Sequence, residues 1–325
     1  MGETLIVGFG RSGQDLHLRC LRKLPRRRIG VVDVEPARLG GRDLPEVEVF
    51  PDLAAARERF GAGTVVHICT PPSTHLEVLR DVARLGYSRV IVEKPLVSRA
   101  ADLAPLRALV REHGLAVFVV ANWLTSSLTS RLRKLLGRCP ERRWARLSIS
   151  QVKPRFTRSL LNYRRETIFD VEIPHQIALS LLVAGGALEV RDAVCSDMIV
   201  DRTRIPCMGK ATITLADRDG RPIVVHSDLT APIRQRSIEL LFEDGTRTVG
   251  YYPSTDADHF SQLLSYGNGQ VQHEIFLDDP LAAFMAEVYG YFEAEGRPPA
   301  SDVDFNAAVV ATISKAKAAA GIESQ

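Results

Sequence analysis

The strongest constraint on the fold is Gly8-Phe9-Gly10-Arg11-Ser12-Gly13 together with its flanks. The wholly apolar run Leu5-Ile6-Val7 precedes it. Residues 14–24 follow, with Leu16, Cys20, Leu21 and Leu24 on one side, which is helical spacing. A GxGxxG turn between a strand and a helix gives each glycine a task. The first allows the tight turn, the second lets backbone approach a pyrophosphate, and the third lets helix and strand pack closely. The N–H groups that open the helix are then free to bind an anion. The spacing therefore predicts a dinucleotide cradle made of Gly8, Phe9, Gly10, Arg11, Ser12 and Gly13. Asp33 falls at the end of a second apolar run, 29–32. A carboxylate there would accept hydrogen bonds from ribose hydroxyls and repel a 2′-phosphate, which favours NAD over NADP. Arg38 nearby acts in the opposite sense.

Further apolar runs at 65–70, 89–92 and 115–120 do not alternate, as expected of strands buried on both faces of a parallel sheet. They alternate with amphipathic stretches, so the first 122 residues read as a doubly wound α/β domain. The pattern then changes. A helix is expected over 125–136 and strands over 144–152, 190–200, 211–216, 223–229, 238–242 and 246–251. Asp219-Gly220 and Asp244-Gly245 are the expected hairpin turns. Helices are expected over 281–294 and 305–320. Residues 123–325 thus read as a second α/β domain with an open, mainly antiparallel sheet.

The 325-residue length suits two domains, and 45% apolar with 25% charged residues excludes a disordered or collagen-like chain. A net charge of +3 is too small to argue for nucleic acid. The five cysteines form no CxxC pair, so neither a disulfide framework nor a zinc site is expected, and a cytoplasmic location fits. No apolar run approaches the roughly 18 residues of a membrane span. The strand pattern starts almost at once, so no leader is expected, and Ile6 does not suit acylation. No zinc-protease, serine-hydrolase or P-loop pattern is present. Asp256, Asp258 and His259 make a weak metal set, and none is assigned. His67, inside a buried strand, reads as a core histidine.

Two further segments are Thr70-Pro71-Pro72-Ser73-Thr74-His75 and Glu93-Lys94-Pro95. With the glycine turn and Asp33 they occur in the order and at the spacing of the Gfo/Idh/MocA oxidoreductases, which this chain resembles over its N-terminal half. The resemblance implies that Thr70, Pro71 and Pro72 border the nicotinamide ribose. It places Glu93, Lys94 and Asn122 at the cofactor, with Lys94 also hydrogen-bonding the reacting oxygen, often beside a cis Lys–Pro bond. His75 reads as a structural residue at a helix start.

Family members carry a DxGxH-like segment in the second half, where His acts as acid or base. Here the matching stretch is Asp170-Val171-Glu172-Ile173-Pro174-His175. His175 is in place for proton transfer. Val171 stands where Asp is usual, and Glu172 is the better substitute for substrate contact. Tyr163-Arg164 matches an aromatic–Arg pair, but the following loop is short. Lys153, Arg155, Arg158, Arg164 and Arg165 form a cationic run, and Arg155 and Arg164 would suit an anionic substrate. The implied activity is hydride transfer between NAD(P) and a secondary alcohol or ketone of a sugar, amino sugar or cyclitol, in a homodimer or homotetramer. An imine or conjugated-bond reductase, or a non-catalytic dinucleotide-binding regulator, are the other readings.

Overall fold

The computed structural model describes residues 2–25, 27–35, 44–138, 143–162, 166–255, 257–267, 269–294 and 297–322. The chain forms two compact units. One comprises Met1–Ala121 with Leu281–Val310, the other Asn122–Pro280 with Ala311–Gln325.

The first unit is built on six parallel strands: β1 (Gly2–Val7), β2 (Arg27–Val32), β3 (Val47–Phe50), β4 (Val65–Ile68), β5 (Arg89–Val92) and β6 (Ala116–Val119). Their order is β3-β2-β1-β4-β5-β6. The order reverses between β1 and β4, the switch point at which a doubly wound sheet opens a crevice at the strands' carboxyl ends. Alternate residues of each strand enter different cores. Leu5, Val7, Val66, Ile68, Val90 and Val92 fill one face, which explains the unbroken apolar runs. Ile6, Val31, Val65, Ile91 and Phe118 fill the other.

The first unit is not continuous in sequence, because the helix Pro280–Ala294 supplies Phe284, Met285, Val288, Tyr289 and Phe292 to that second face. Full burial of side chains this large contributes about 1.5–3 kcal/mol each. The expected helix over 14–24 starts earlier, as the π-wound turn Ser12–Leu18 continuing into Arg19–Leu21. Strand β3 was not expected. It is short and half exposed, so its pattern is weak.

The second unit carries β7 (Trp144–Val152), β8 (Glu189–Cys195), β9 (Met198–Val200), β10 (Thr203–Ile205), β11 (Lys210–Ala216), β12 (Pro222–Asp228), β13 (Gln235–Phe242), β14 (Arg247–Tyr251), β15 (Phe260–Gly267) and β16 (Gln270–Leu277). Eight of these form an open sheet in the order β16-β15-β14-β13-β7-β12-β11-β8. Its pairs are antiparallel except β7 with β12. Both Asx–Gly turns form, with Gly220 at φ +80° and Gly245 at φ +78°, where a side chain would be strained.

The helix Ile173–Ala184 packs on β7 and β12 and covers the centre of one sheet face. The strand expected over 190–200 is broken in two. Its second part, β9, pairs with β10 in a separate ribbon. This return sets Cys207 beside Cys195, and the two are joined as a disulfide with Cα atoms 5.4 Å apart. The sequence pointed to no disulfide framework, and it did not single out this one pairing. Among the described residues no helix is long and apolar enough to cross a membrane.

Candidate active site

In the first unit the glycine turn is held by sterics. Gly8 has φ +88°, and a Cβ there would lie 2.9 Å from the backbone of Cys69 and Thr70. At Gly13 it would lie 2.5 Å from the Gly8 carbonyl oxygen, so only glycine lets the helix start this close. A Cβ on Gly10 would meet nothing within 4 Å. The middle of the turn is therefore open, as a cradle for an approaching phosphate must be.

The Phe9 side chain is buried in the core and can act at the turn only through its backbone. Its N–H donates to Asp33 Oδ2 at 2.6 Å, and the Glu35 N–H donates to Oδ1 at 2.8 Å. Asp33 thus ties the end of β2 to the glycine turn, and each oxygen keeps acceptor capacity. Arg11 is exposed, with its guanidinium 3.8 Å from Asp15. Ser12 opens the helix at the same edge. Arg38 lies outside the described residues.

The loops after β4 and β5 meet at the same sheet edge. Thr70, Pro71 and Pro72 lead into the helix His75–Arg84. His75 contacts the carbonyl oxygens of Thr70 (3.0 Å) and Leu96 (3.1 Å), so it clasps both loops in the structural role expected of it. Burial pushes its pKa down despite these contacts.

The Lys94–Pro95 bond is cis. Glu93 donates its N–H to the Ile68 carbonyl at 2.9 Å and so closes the β4–β5 edge. Its carboxylate accepts from His17 Nε2 at 2.9 Å and from the Lys94 N–H at 3.2 Å. Burial pushes the Glu93 pKa up, but the His17 hydrogen bond and charge, then Lys94, outweigh it, so Glu93 stays below the usual carboxylate range. His17 was not singled out in the sequence. A histidine between Leu16 and Leu18, near the start of the first helix, was the available signal.

The second unit holds a separate constellation. Trp123 is stacked between two rings, His175 (centroids 5.4 Å, planes 15° apart) and Tyr252 (4.8 Å, 15°). Thr129 donates to the Trp123 carbonyl at 2.6 Å, and its Oγ1 lies 2.8 Å from the Tyr252 hydroxyl, which fixes the stack. His175 is half-buried in the first turn of Ile173–Ala184, where Pro174 suits the missing N–H partner. The Asn122 Oδ1, one residue before Trp123, is buried with no hydrogen-bond partner among the described residues. An orphaned acceptor beside a ring stack fits an amide donor such as a carboxamide.

The two acids before His175 separate. Asp170 closes a capping box with Thr167 and takes Lys317 Nζ at 2.6 Å. Glu172 is buried, accepts from Gln151, and pairs with Lys153 at 2.5 Å. Arg155 is buried too, with its guanidinium 3.1 Å from Glu166. Two of the five expected cations are thus matched by acids inside the unit, which corrects the picture of an unbalanced basic patch. Arg164 and Arg165 lie outside the described residues.

A glycine turn that only glycine can make, a carboxylate at the end of β2 and a strand reversal beside them define the first unit as a Rossmann dinucleotide-binding domain. Residues 3–121 match the model of the Gfo/Idh/MocA oxidoreductase family, which describes its NAD-binding Rossmann fold. Solved structures share the architecture over nearly the whole chain. UDP-N-acetylglucosamine 3-dehydrogenase from Acidithiobacillus ferrooxidans is 18% identical, with 98% of each chain covered and a TM-score of 0.78. A 3-ketoreductase from Actinomadura kijaniata, solved with NADP and TDP-benzene, is 16% identical, with 98% of this chain and 97% of that chain covered and a TM-score of 0.79. At such identity the likeness is one of fold.

Proposed function

We propose that the protein transfers a hydride between a nicotinamide dinucleotide and a secondary alcohol or ketone of a sugar, amino sugar or cyclitol. The observation that carries this reading is the convergence of three features at one carboxyl edge of the parallel sheet: the open turn at Gly10, the carboxylate of Asp33 and the Glu93–Lys94 pair. Asp33 marks the adenosine side, so the nicotinamide half belongs over the ends of β4 and β5, near Thr70 and Glu93. The bound dinucleotide supplies the hydride acceptor or donor. Lys94 would hydrogen-bond the reacting oxygen, and His175 would take the hydroxyl proton or return it. One protein of similar fold is a UDP-N-acetylglucosamine 3-dehydrogenase and another, a 3-ketoreductase, was solved with TDP-benzene, which makes nucleotide sugars the first compounds to screen. The pairing of Lys153 and Arg155 with acids weakens the case for an anion held by those two side chains.

NAD is the preferred cofactor in this reading, because the Asp33 carboxylate repels a 2′-phosphate. Fluorescence titration should show NADH binding more tightly than NADPH. Asp33→Ala should weaken NADH about tenfold, the loss of roughly 1.4 kcal/mol expected for hydrogen bonds to a charged group. NADPH binding that matches or exceeds NADH in the unmodified chain would reverse the assignment.

Self-association has its own support. Val271, Ile275 and Leu277 of β16 and Phe260 of β15 are exposed, and the β15–β16 register sets them on one face. An apolar stripe of this kind usually marks a contact surface. Sedimentation should give a dimer or tetramer, and Ile275→Lys should shift it toward monomer. A monomer in the unmodified chain at micromolar concentration would remove this part of the proposal.

A further inference from the structure

Behind Glu93 a continuous hydrogen-bonded chain runs into the core of the first unit. His17 Nε2 lies 2.9 Å from Glu93 Oε1. His17 Nδ1 lies 2.7 Å from His67 Nδ1, His67 Nε2 lies 2.8 Å from the Tyr289 hydroxyl, and that hydroxyl lies 2.8 Å from Thr4 Oγ1. His17, His67 and Thr4 are fully buried. Two imidazole nitrogens this close must share a single hydrogen, since two lone pairs or two N–H groups would repel. That one hydrogen fixes the direction of every other link.

Two complete states follow. In the first, both imidazoles are neutral. Thr4 donates to Tyr289, Tyr289 donates to His67 Nε2, His67 Nδ1–H donates to His17 Nδ1, and His17 Nε2–H donates to Glu93. In the second, His17 carries a proton on both nitrogens. His17 Nδ1–H then donates to His67, His67 Nε2–H donates to Tyr289, and Tyr289 donates to Thr4. The states differ by one proton, exchanged with solvent, and His67 is neutral in both but changes tautomer. Burial, with the positive charges of His17 and Arg27, holds the His67 pKa well down, so His67 stays neutral. The ring that faces a carboxylate is His17, whose Nε2 lies 2.9 Å from Glu93 Oε1, and the geometry puts the extra proton of the second state there.

We propose that His17, His67 and Tyr289 are positioning residues that hold the Glu93 carboxylate and take up one proton when the positive charge above Glu93 is lost, that is, when the bound nicotinamide is reduced. The inference rests on the dinucleotide reading of the site. When a secondary alcohol is oxidised to a ketone, its carbon-bound hydrogen leaves as hydride and converts NAD+ to NADH, and its hydroxyl hydrogen leaves as a proton. The positive charge of the nicotinamide ring disappears in the same step. With that cation gone, the Glu93 anion favours a cation on its other side. Among the described residues, the other charged or titratable groups around the chain are Lys94, Cys69 and His75 at the Glu93 end. At the Tyr289 end, Arg27 lies 3.9 Å over the ring and is paired with Glu293 at 2.7 Å. Cys69 is held protonated by burial and by Glu93, so it offers no competing anion.

The test uses the full chain with 15N-labelled histidine rings, with saturating NAD+ or NADH, or the phosphorylated pair if that is what binds. Long-range 1H–15N spectra at pH 7 should show His67 protonated on Nδ1 with the oxidised form and on Nε2 with the reduced form. Calorimetric titrations in two buffers of different ionisation enthalpy should show the reduced form taking up roughly one proton more. As the pH rises, its affinity should therefore weaken relative to the oxidised form by up to about tenfold per pH unit.

His17→Gln keeps a donor for Glu93 but cannot titrate. It should bind both forms and lose the proton difference. Tyr289→Phe, which strands the His67 Nε2–H of the charged state, should reduce that difference. One His67 tautomer with both forms, or an unchanged proton difference in His17→Gln, overturns the linkage and leaves dinucleotide binding standing. Failure of folded protein to bind either form overturns both.

Discussion

Lys94→Met and His175→Asn are expected to lower kcat by about 10²–10⁴-fold each, the usual contribution of a positioned proton donor or acceptor. Both substitutions remove a proton-transfer group at nearly constant size. Lys94 follows Glu93 at the end of β5, where the His17 hydrogen bond and the β4–β5 backbone contact define its backbone position without using its ammonium group. His175 stands on the Trp123–Tyr252 stack, which Asn can abut without disturbing the helix start. Dinucleotide affinity should therefore change by less than about threefold for His175→Asn, since a kcat loss without a binding loss marks an interaction made in the transition state. The double variant should be little worse than the poorer single one, because residues that act as a unit are not additive. Single-turnover absorbance of the nicotinamide with the substrate found by screening measures all three. Near-normal turnover in His175→Asn would exclude it as the acid/base group and turn attention to reduction of a C=N or conjugated bond. Tight dinucleotide binding with no turnover on any polyol, ketone or imine would point to a regulator.

The parts of this site that depend on local sterics were legible in the sequence. The glycine turn needs a positive φ at Gly8 and a missing Cβ at Gly13, and both needs are written as residue types. Strands β1, β4, β5 and β6 are buried on both faces, so their apolar runs could not be mistaken for amphipathic elements. Strand β16 reads as a polar loop because nearly all of its residues are exposed, and β3 is too short to give a period. Pairings between distant residues were not legible. Lys153 and Arg155 look like free cations until folding brings Glu172 and Glu166 to them. Cys195 and Cys207 look unrelated until β9 and β10 double the chain back on itself. The His17–His67–Tyr289 chain joins three elements, and each member taken singly passes for a core polar residue.

Lys153→Met is expected to destabilise the second unit by about 3–5 kcal/mol, the cost of leaving one partner of a buried pair uncompensated. The Glu172 side chain is 4% exposed and that of Lys153 is 16% exposed, so the two are unequal. Without Lys153 the Glu172 carboxylate keeps Gln151 as a donor but has no other cation among its described contacts, and it cannot turn to solvent. Without the Glu172 charge, Lys153 is close enough to the surface to extend its flexible stem and rehydrate. Glu172→Gln should therefore cost clearly less than Lys153→Met. The double variant Lys153→Met with Glu172→Leu should recover much of the loss, since an apolar pair of similar volume avoids both desolvation penalties. Thermal unfolding should show a fall of about 6–20 °C for Lys153→Met, taking 2–4 °C per kcal/mol for a unit of this size. Equal losses in the two single variants, or a double variant worse than either, would mean that the pair serves the shape of the His175 turn rather than charge compensation. In that case kcat should fall along with stability. If charge compensation is its role, kcat should stay near normal in the double variant, because Glu172 then serves Lys153 and Gln151 and not the substrate.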